Sequence, residues 1–324
     1  MLPRSKLFKL AVAVGVAGVL VLGMSVVLHA ASTVEAAARR DVANTGSKGY
    51  APNATIVVND LGDTSGSCAT TGTGTCTLRD AITFANSHAG ADTITFSTSG
   101  TIILASTLLI TDDVTIDAAG QSISLSGNNA VRVVSISSGV KATLNALTIV
   151  NGYTPDISAF GGAGIYSAGT LTVTNSTFSG NIANQGLGGA LTNSYGTLTV
   201  INSTFSGNGS PNGPTHGGGI ENYYGTLTVI NSTFNGNSGG YGGGIDNTAG
   251  TATLQNTVIA NSSSVTGNCY NTYILNADAY NLATDSTCDS ATQRTSAQIT
   301  GYFMVLSHGL KIGSKTSFIH GQLG

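Results

Sequence analysis

The stretch Gly161–Asn181 reads GGAGIYSAGTLTVTNSTFSGN, and it recurs with few changes at Gly188–Asn208 and Gly217–Asn237. A weaker copy begins at Gly242. The spacing between corresponding residues varies from copy to copy, whereas a coiled coil or helical repeat loses its register with such slips. The repeat therefore favours an architecture whose successive units tolerate turns of different length.

Within each unit, apolar residues alternate with hydroxylated ones. In the first copy Leu171 and Val173 flank Thr172, and the clusters GTL, NST and SGN supply turns. Each unit thus predicts about three short strands, none of which can bury its apolar face alone. Because stacking of successive units buries all these faces in one core, we predict an all-β fold, a parallel β-helix (solenoid).

The same reasoning predicts two columns of identical side chains. The phenylalanines Phe178, Phe205 and Phe234 should form one internal stack. Four asparagines should form a hydrogen-bonded ladder at a buried bend: Asn175, Asn202, Asn231 and Asn256. The first three begin NST glycosylation sequons, and since a buried ladder would hide their amides, we expect no glycans there.

The rest of the chain falls into flanking segments. Residues 1–36 are typical of an export signal or an uncleaved N-terminal anchor, because Arg4, Lys6 and Lys9 precede an uncharged apolar run. Both ends of a solenoid expose core and therefore need caps. We predict a linker at 37–54, an N-terminal cap at 55–92 with an amphipathic helix over Thr77–Asn86, the β-helix at 93–265, and a C-terminal cap and tail at 266–324.

The four cysteines fall into two local groups, Cys68 with Cys76 and Cys269 with Cys288. Three connectivities are open, and sequence proximity favours two local disulfides, which fits an oxidising compartment outside the cytoplasm. Zinc binding is the rival interpretation, but the spacings are not CxxC and neither group has a neighbouring histidine.

Composition narrows the functional classes. The formal net charge is -3 and only 8% of residues are charged, so the chain offers no basic face for nucleic acid. Lysine follows none of the paired glycines, which favours a backbone role over a phosphate-binding loop. We predict no cofactor and no metal. Threonines on the strands could line up as a surface-binding column, but the column is single and narrow, and ordinary strand propensity explains the threonines better.

Two sets of residues carry a family resemblance. Cys76-Thr77-Leu78-Arg79-Asp80-Ala81 resembles the signature of CSLREA-domain proteins, with Thr for Ser and Asp for Glu. Gly188-Gly189-Ala190-Leu191 and the FxxN segments at Phe178, Phe205 and Phe234 resemble repeats of polymorphic outer membrane proteins. The resemblance implies an exported, right-handed β-helix of the pectin-lyase-like type that acts as an adhesin or envelope protein. The segment after Cys288 departs from the C-terminal sorting or barrel segments of such relatives.

One constellation could carry chemistry. Glu221 and Asp246 each follow a GGGI motif, so they should lie on adjacent coils with His216 nearby. Two such carboxylates could serve a glycoside hydrolase. We expect instead a solvated surface, because the equivalent earlier positions carry Tyr166 and Thr192 and so vary freely. Residues 142–268 also contain no Lys or Arg to act as the base of a lyase.

The sequence therefore predicts a non-catalytic bacterial surface protein, secreted or held in the envelope, that serves adhesion or display. A polysaccharide or a host or neighbouring cell surface would be its partner, with membrane attachment through the N-terminal segment as an option. The alternative is a polysaccharide lyase or glycoside hydrolase that acts in a groove of the β-helix.

Overall fold

The computed structural model describes residues 53–64, 66, 68, 74–155, 161–184, 187–210, 216–278, 280–288 and 292–293. The predicted signal or anchor and the tail after residue 293 lie outside these ranges, as does nearly all of the predicted linker. Within the described ranges, no helix is both long enough and apolar enough to cross a bilayer.

The described chain contains short strands and one helix, α1 at Leu78–Ser87. In chain order the strands are β1 Thr55–Val58, β2 Asp92–Phe96, β3 Gly100–Ile103, β4 Leu108–Ile110, β5 Val114–Asp117, β6 Ile123–Ser126, β7 Val134–Ile136, β8 Lys141–Asn145, β9 Leu147–Val150, β10 Tyr153–Thr154, β11 Ile165–Ser167, β12 Thr170–Thr174, β13 Thr177–Ser179, β14 Ile182–Ala183, β15 Leu191–Ser194, β16 Thr197–Ile201, β17 Thr204–Ser206, β18 Ile220–Tyr223, β19 Thr226–Ile230, β20 Thr233–Asn235, β21 Ile245–Thr248, β22 Thr251–Gln255, β23 Val258–Ala260, β24 Cys269–Asn271, β25 Ile274–Ala277, β26 Leu282–Ala283 and β27 Thr292–Gln293.

These strands form three long parallel sheets that share one core. Sheet one has the order β1-β2-β5-β8-β12-β16-β19-β22-β25, and sheet two has the order β3-β6-β9-β13-β17-β20-β23-β26-β27. Sheet three has the order β4-β7-β11-β15-β18-β21-β24, and β10 pairs with β14 beside them. From β2 to β26 the strands, apart from β10 and β14, fall on sheets one, two and three in turn, which confirms the predicted all-β, right-handed parallel β-helix.

Successive repeats pair in register. Leu171 pairs with Leu198 and Leu198 with Leu227, and all three are fully buried. Phe178, Phe205 and Phe234 form the predicted internal stack, with adjacent ring centroids 4.6 Å apart and planes within 6° of parallel. Because the coil spacing places like side chains above one another, one repeat sequence generates a continuous core.

Turn glycines let neighbouring coils approach closely. At Gly161 the backbone φ is +65°, and a Cβ built there would lie 1.3 Å from the carbonyl oxygen of Leu187. No other residue fits such a position, because the side chain would overlap the backbone of the next coil. The repeated glycine pairs therefore serve coil packing.

Helix α1 packs against β1, β2 and β4, which include the first strands of sheets one and three. It begins one residue after the predicted start because Thr77 is its N-cap and accepts a hydrogen bond from the Asp80 amide. Leu78, Ala81, Ile82 and Ala85 form the predicted buried face. Arg79 on α1 pairs with Asp63, with Nη2 2.8 Å from Oδ2.

The β-helix extends beyond the predicted boundaries of 93–265. Strand β1 pairs with β2 along its whole length, so residues 55–58 belong to the solenoid. At the other end β24, β25 and β26 continue all three sheets past residue 265. The predicted C-terminal cap therefore contains one further coil, and the N-terminal cap adds one strand to sheet one, which the weaker repeat pattern of these segments did not reveal.

Candidate functional site

The residues predicted to carry chemistry meet on the outer face of sheet three. Glu221 on β18 pairs in register with Asp246 on β21, as the GGGI spacing predicts. Glu221 alternates with Ile220 and Asn222, whose side chains point into the core, so its own side chain lies outside the sheet.

The expectation of a solvated pair is wrong, since Glu221 and Asp246 are both 0% exposed. In the same outward column Thr192 precedes them and Tyr270 follows them. His216, which lies shortly before β18, packs against the two carboxylates, so it covers the outer face of sheet three at this point. Alternation identified the face of each residue, but it could not reveal this cover.

His216 lies close to both carboxylates. Its Nδ1 is 2.8 Å from Asp246 Oδ2 and 3.5 Å from Glu221 Oε2, and its side chain is 22% exposed. The amide of Gly217 donates to Glu221 Oε2 at 3.3 Å, and the hydroxyl of Thr248 donates to Asp246 Oδ1 at 2.9 Å. We refer to His216, Glu221 and Asp246 as the buried triad.

The two carboxyl groups of the triad compete for one low-dielectric space. Burial, and then the charge of Asp246, raise the pKa of Glu221 well above its usual range. Among the described residues, none forms a hydrogen bond with Glu221 Oε1, although that atom is buried. An orphaned buried acceptor beside a second carboxylate is costly unless a proton or a cation satisfies it.

Burial disfavours glycoside hydrolysis at this pair. Glycoside hydrolases hold the sugar between their two carboxyl groups, which must therefore be open to it. Glu221 and Asp246 are both fully buried, so a sugar could not reach them without displacing His216.

A second group of side chains lies where sheet three turns into sheet one. The tyrosine cluster consists of Tyr195, Tyr223 and Tyr224, of which Tyr195 is 69% exposed and Tyr224 is 52% exposed. The rings of Tyr195 and Tyr224 stack with centroids 5.2 Å apart, and the ring of Tyr223 packs edge-on against both. Tyr195 and Tyr224 have φ of 57° and 53°, which is unusual for bulky residues. The sequence reasoning missed this cluster, although one tyrosine before GTL in two successive repeats could have indicated it.

The predicted buried asparagine ladder lies on the outside. Asn175, Asn202, Asn231 and Asn256 are all exposed, with φ near 50°. Their amides still interact along the axis, as where Asn256 Nδ2 donates to Asn231 Oδ1 at 2.7 Å. The left-handed backbone turns these side chains outward. The expectation that the sequons carry no glycans rested on burial, and that reason no longer holds.

Two other asparagine ladders are buried instead. Asn193, Asn222 and Asn247 are each 0% exposed, and consecutive members are joined by amide hydrogen bonds of 2.7 Å. The FxxN asparagines Asn181, Asn208 and Asn237 form the other ladder. Each Nδ2 of the second ladder also donates to a backbone carbonyl of the neighbouring coil. Both ladders are structural, since they pair buried amide groups with one another, and among the described residues only Oδ1 of Asn193, at the start of the first ladder, lacks a donor.

Both predicted disulfides are confirmed. Cys68 is bonded to Cys76, and Cys269 is bonded to Cys288. No cysteine is free, so no thiol is left to bind a metal.

Comparisons with known proteins give a fold-level likeness only. No protein-family model and no curated protein matches the chain. Among solved structures, the chain is similar to the crystal structure of Jun a 1, the major allergen from cedar pollen, with a TM-score of 0.42 and 17% sequence identity. The match covers 72% of this chain, which spans 63% of the length of that one. A likeness this distant extends no activity to the chain, and the strand pairing itself defines a parallel β-helix protein.

Proposed function

We propose that the chain is an exported β-helix of the bacterial cell envelope that adheres to a polysaccharide surface without turning it over. Three features support export: the signal-like residues 1–36, the two disulfides, and the resemblance of Cys76–Ala81 and the repeats to CSLREA-domain and polymorphic outer membrane proteins. Adhesion or display is the role that these resemblances imply.

The tyrosine cluster is the observation that carries adhesion. Two bulky rings stay exposed at left-handed turn positions, although the equivalent turn accepts Ala249, so the fold itself does not require tyrosine there. Tyrosine offers an apolar ring face and a hydroxyl tip at little entropic cost, which makes it a frequent contact residue. Because Ala249 follows Tyr224 at the equivalent turn position, with φ of 56°, no third ring continues the stack.

Charge favours a neutral ligand. Residues 142–268 contain no Lys or Arg, and the acids of the triad are buried. An acidic polysaccharide would therefore find no cation on these coils, whereas a neutral glycan needs only ring faces and the hydroxyl and amide groups that cover the outer strands. The proposed ligand is an uncharged polysaccharide.

The test is retention of the protein on insoluble neutral and acidic polysaccharides, together with assays for released reducing and unsaturated sugars. We expect retention on a neutral polysaccharide without product release. The double variant Tyr195→Asn, Tyr224→Asn should lose at least about tenfold in retention, because asparagine tolerates the left-handed backbone but removes the rings. Tyr273→Asn, which removes a ring that is 66% exposed elsewhere, is the matched control and should bind normally.

Enzymatic cleavage is the second candidate, because the triad brings two carboxylates and a histidine together. Product release that is lost in Glu221→Gln but kept in Tyr273→Asn would establish this function instead. Equal retention of the wild type and the double tyrosine variant would reject adhesion through the cluster.

A further inference from the structure

We propose that the buried triad is a binding site for one divalent transition-metal ion of the Zn²⁺ class. The ligands are Nδ1 of His216 and one carboxylate oxygen each from Glu221 and Asp246. This inference stands apart from the proposed adhesion, since the tyrosine cluster takes no part in it.

The donor set is the first argument. One imidazole nitrogen and two carboxylate oxygens are ligands that zinc accepts at about 2.0–2.2 Å. Two ligands of a tetrahedral ion are then about 3.4 Å apart, and His216 Nδ1 already lies 3.5 Å from Glu221 Oε2. The contact with Asp246 Oδ2, now 2.8 Å, must open by a few tenths of an ångström. His216 is the triad member that can move, because it is partly exposed and precedes β18.

The second argument is independent of the donor set. Glu221 Oε1 is fully buried and has no hydrogen-bond partner among the residues that the structure describes, which leaves an acceptor unsatisfied within the triad. A cation bound at Oε2 neutralises the carboxylate to which Oε1 belongs, and it offsets the repulsion between the two carboxylates at the same time. The described chain has no buried Lys or Arg beside the triad to do so, since residues 142–268 contain neither.

Support for the ligands is also in place. The Thr248 hydroxyl donates to Asp246 Oδ1 and the Gly217 amide donates to Glu221 Oε2, so both carboxylates are oriented from outside the ligand set. The three ligands come from two adjacent coils and from the segment before β18. A bound ion would therefore fasten that segment to the side of the solenoid.

Calcium fits this site less well. It takes six to eight oxygen ligands, whereas the triad offers four carboxylate oxygens, of which Asp246 Oδ1 is already held by Thr248. The presence of an imidazole also favours a transition metal over calcium.

The experiment is a titration of the untagged, full-length, metal-free protein with Zn²⁺ against a chromophoric chelator, with Co²⁺ as a spectroscopic probe. We expect one tight equivalent of Zn²⁺ and the visible bands of four-coordinate Co²⁺. His216→Ala and Asp246→Asn should each remove this equivalent, while Thr248→Val should weaken it by about 10–100-fold, as loss of support to a ligand does.

The matched control is His88→Gln. His88 Nδ1 lies 2.9 Å from the buried Asp92 Oδ1, so this pair has the same histidine–carboxylate contact but no second carboxylate. His88→Gln should bind Zn²⁺ as the wild type does. The proposal is overturned if the wild type binds no stoichiometric Zn²⁺, if His216→Ala binds it equally well, or if Ca²⁺ displaces it at equal concentration. In the first case the triad is a hydrogen-bonded clasp only.

Discussion

Replacing Phe205 with alanine removes the middle ring of the internal stack. The ring is fully buried, and its centroid lies 4.6 Å from those of Phe178 and Phe234. Phenylalanine-to-alanine changes in cores cost about 3–5 kcal/mol, and an aromatic pair adds about 0.5–1.5 kcal/mol beyond burial. Since Phe205 takes part in two such pairs, we expect a loss near the upper end, about 4–5 kcal/mol in the free energy of unfolding.

Equilibrium unfolding in urea, followed by far-ultraviolet circular dichroism, measures this loss. Phe205→Leu should cost only about 1.5 kcal/mol, because leucine refills most of the volume. Tyr273→Ala, an exposed control, should change stability by less than about 0.5 kcal/mol. A loss below about 1.5 kcal/mol for Phe205→Ala, or one equal to that of Tyr273→Ala, would refute the stacked-core reasoning.

Three further changes test particular contacts by the same unfolding assay. Gly161→Ala should cost at least about 2 kcal/mol more than Gly236→Ala, for which we expect only the roughly 1–2 kcal/mol cost of a left-handed backbone. The two glycines have φ of +65° and +63°, but of the two only Gly161 faces a neighbouring backbone. Equal losses of stability would therefore contradict the close-approach explanation. Asn222→Ala should cost about 2–3 kcal/mol, because it leaves the buried Oδ1 of Asn247 without its Asn222 donor and removes one acceptor of Asn193 Nδ2, whereas Asn231→Gly on the exposed column should be nearly neutral. Double replacement of Cys269 and Cys288 by alanine, which opens a link across 19 residues, should cost about 3 kcal/mol, and a stability unchanged by this replacement would show that the link is dispensable.

Local alternation and the long repeat were sufficient to predict the strands, their parallel stacking and the phenylalanine column. The same alternation could have predicted the buried ladder of Asn193, Asn222 and Asn247. Each of these asparagines lies two residues after a buried Leu or Ile, so it points to the same inner face of its strand: Leu191-x-Asn193, Ile220-x-Asn222 and Ile245-x-Asn247. The NST asparagines were misplaced because alternation fails at a left-handed residue. At Asn175, which follows the end of β12, the backbone is left-handed with φ of 51°, and the side chain turns outward. One repeat therefore contains both an exposed asparagine column and buried asparagine ladders.

The buried triad shows a different limit. Register brought Glu221 and Asp246 together, and the glycine motif placed His216 before them, so the sequence did identify the members. Their burial includes the contact of His216 with the outer face of sheet three, and no periodic pattern encodes that contact. The tyrosine cluster, by contrast, is present in the repeat pattern, since Tyr195 and Tyr224 each precede GTL in successive repeats, where the next turn carries Ala249.

Register between adjacent coils is the basis of every site described above, and pyrene excimer fluorescence tests it directly. Thr199 and Thr228 pair on adjacent strands of sheet one with their side chains on the outer face. With cysteine at both positions, two attached pyrenes would lie about one strand spacing apart, roughly 4.8 Å. We predict a strong excimer band for this pair, and only monomer emission when Thr199 is combined with Thr233 on sheet two. Monomer emission from the Thr199 and Thr228 pair would contradict the stacking of the repeats in register.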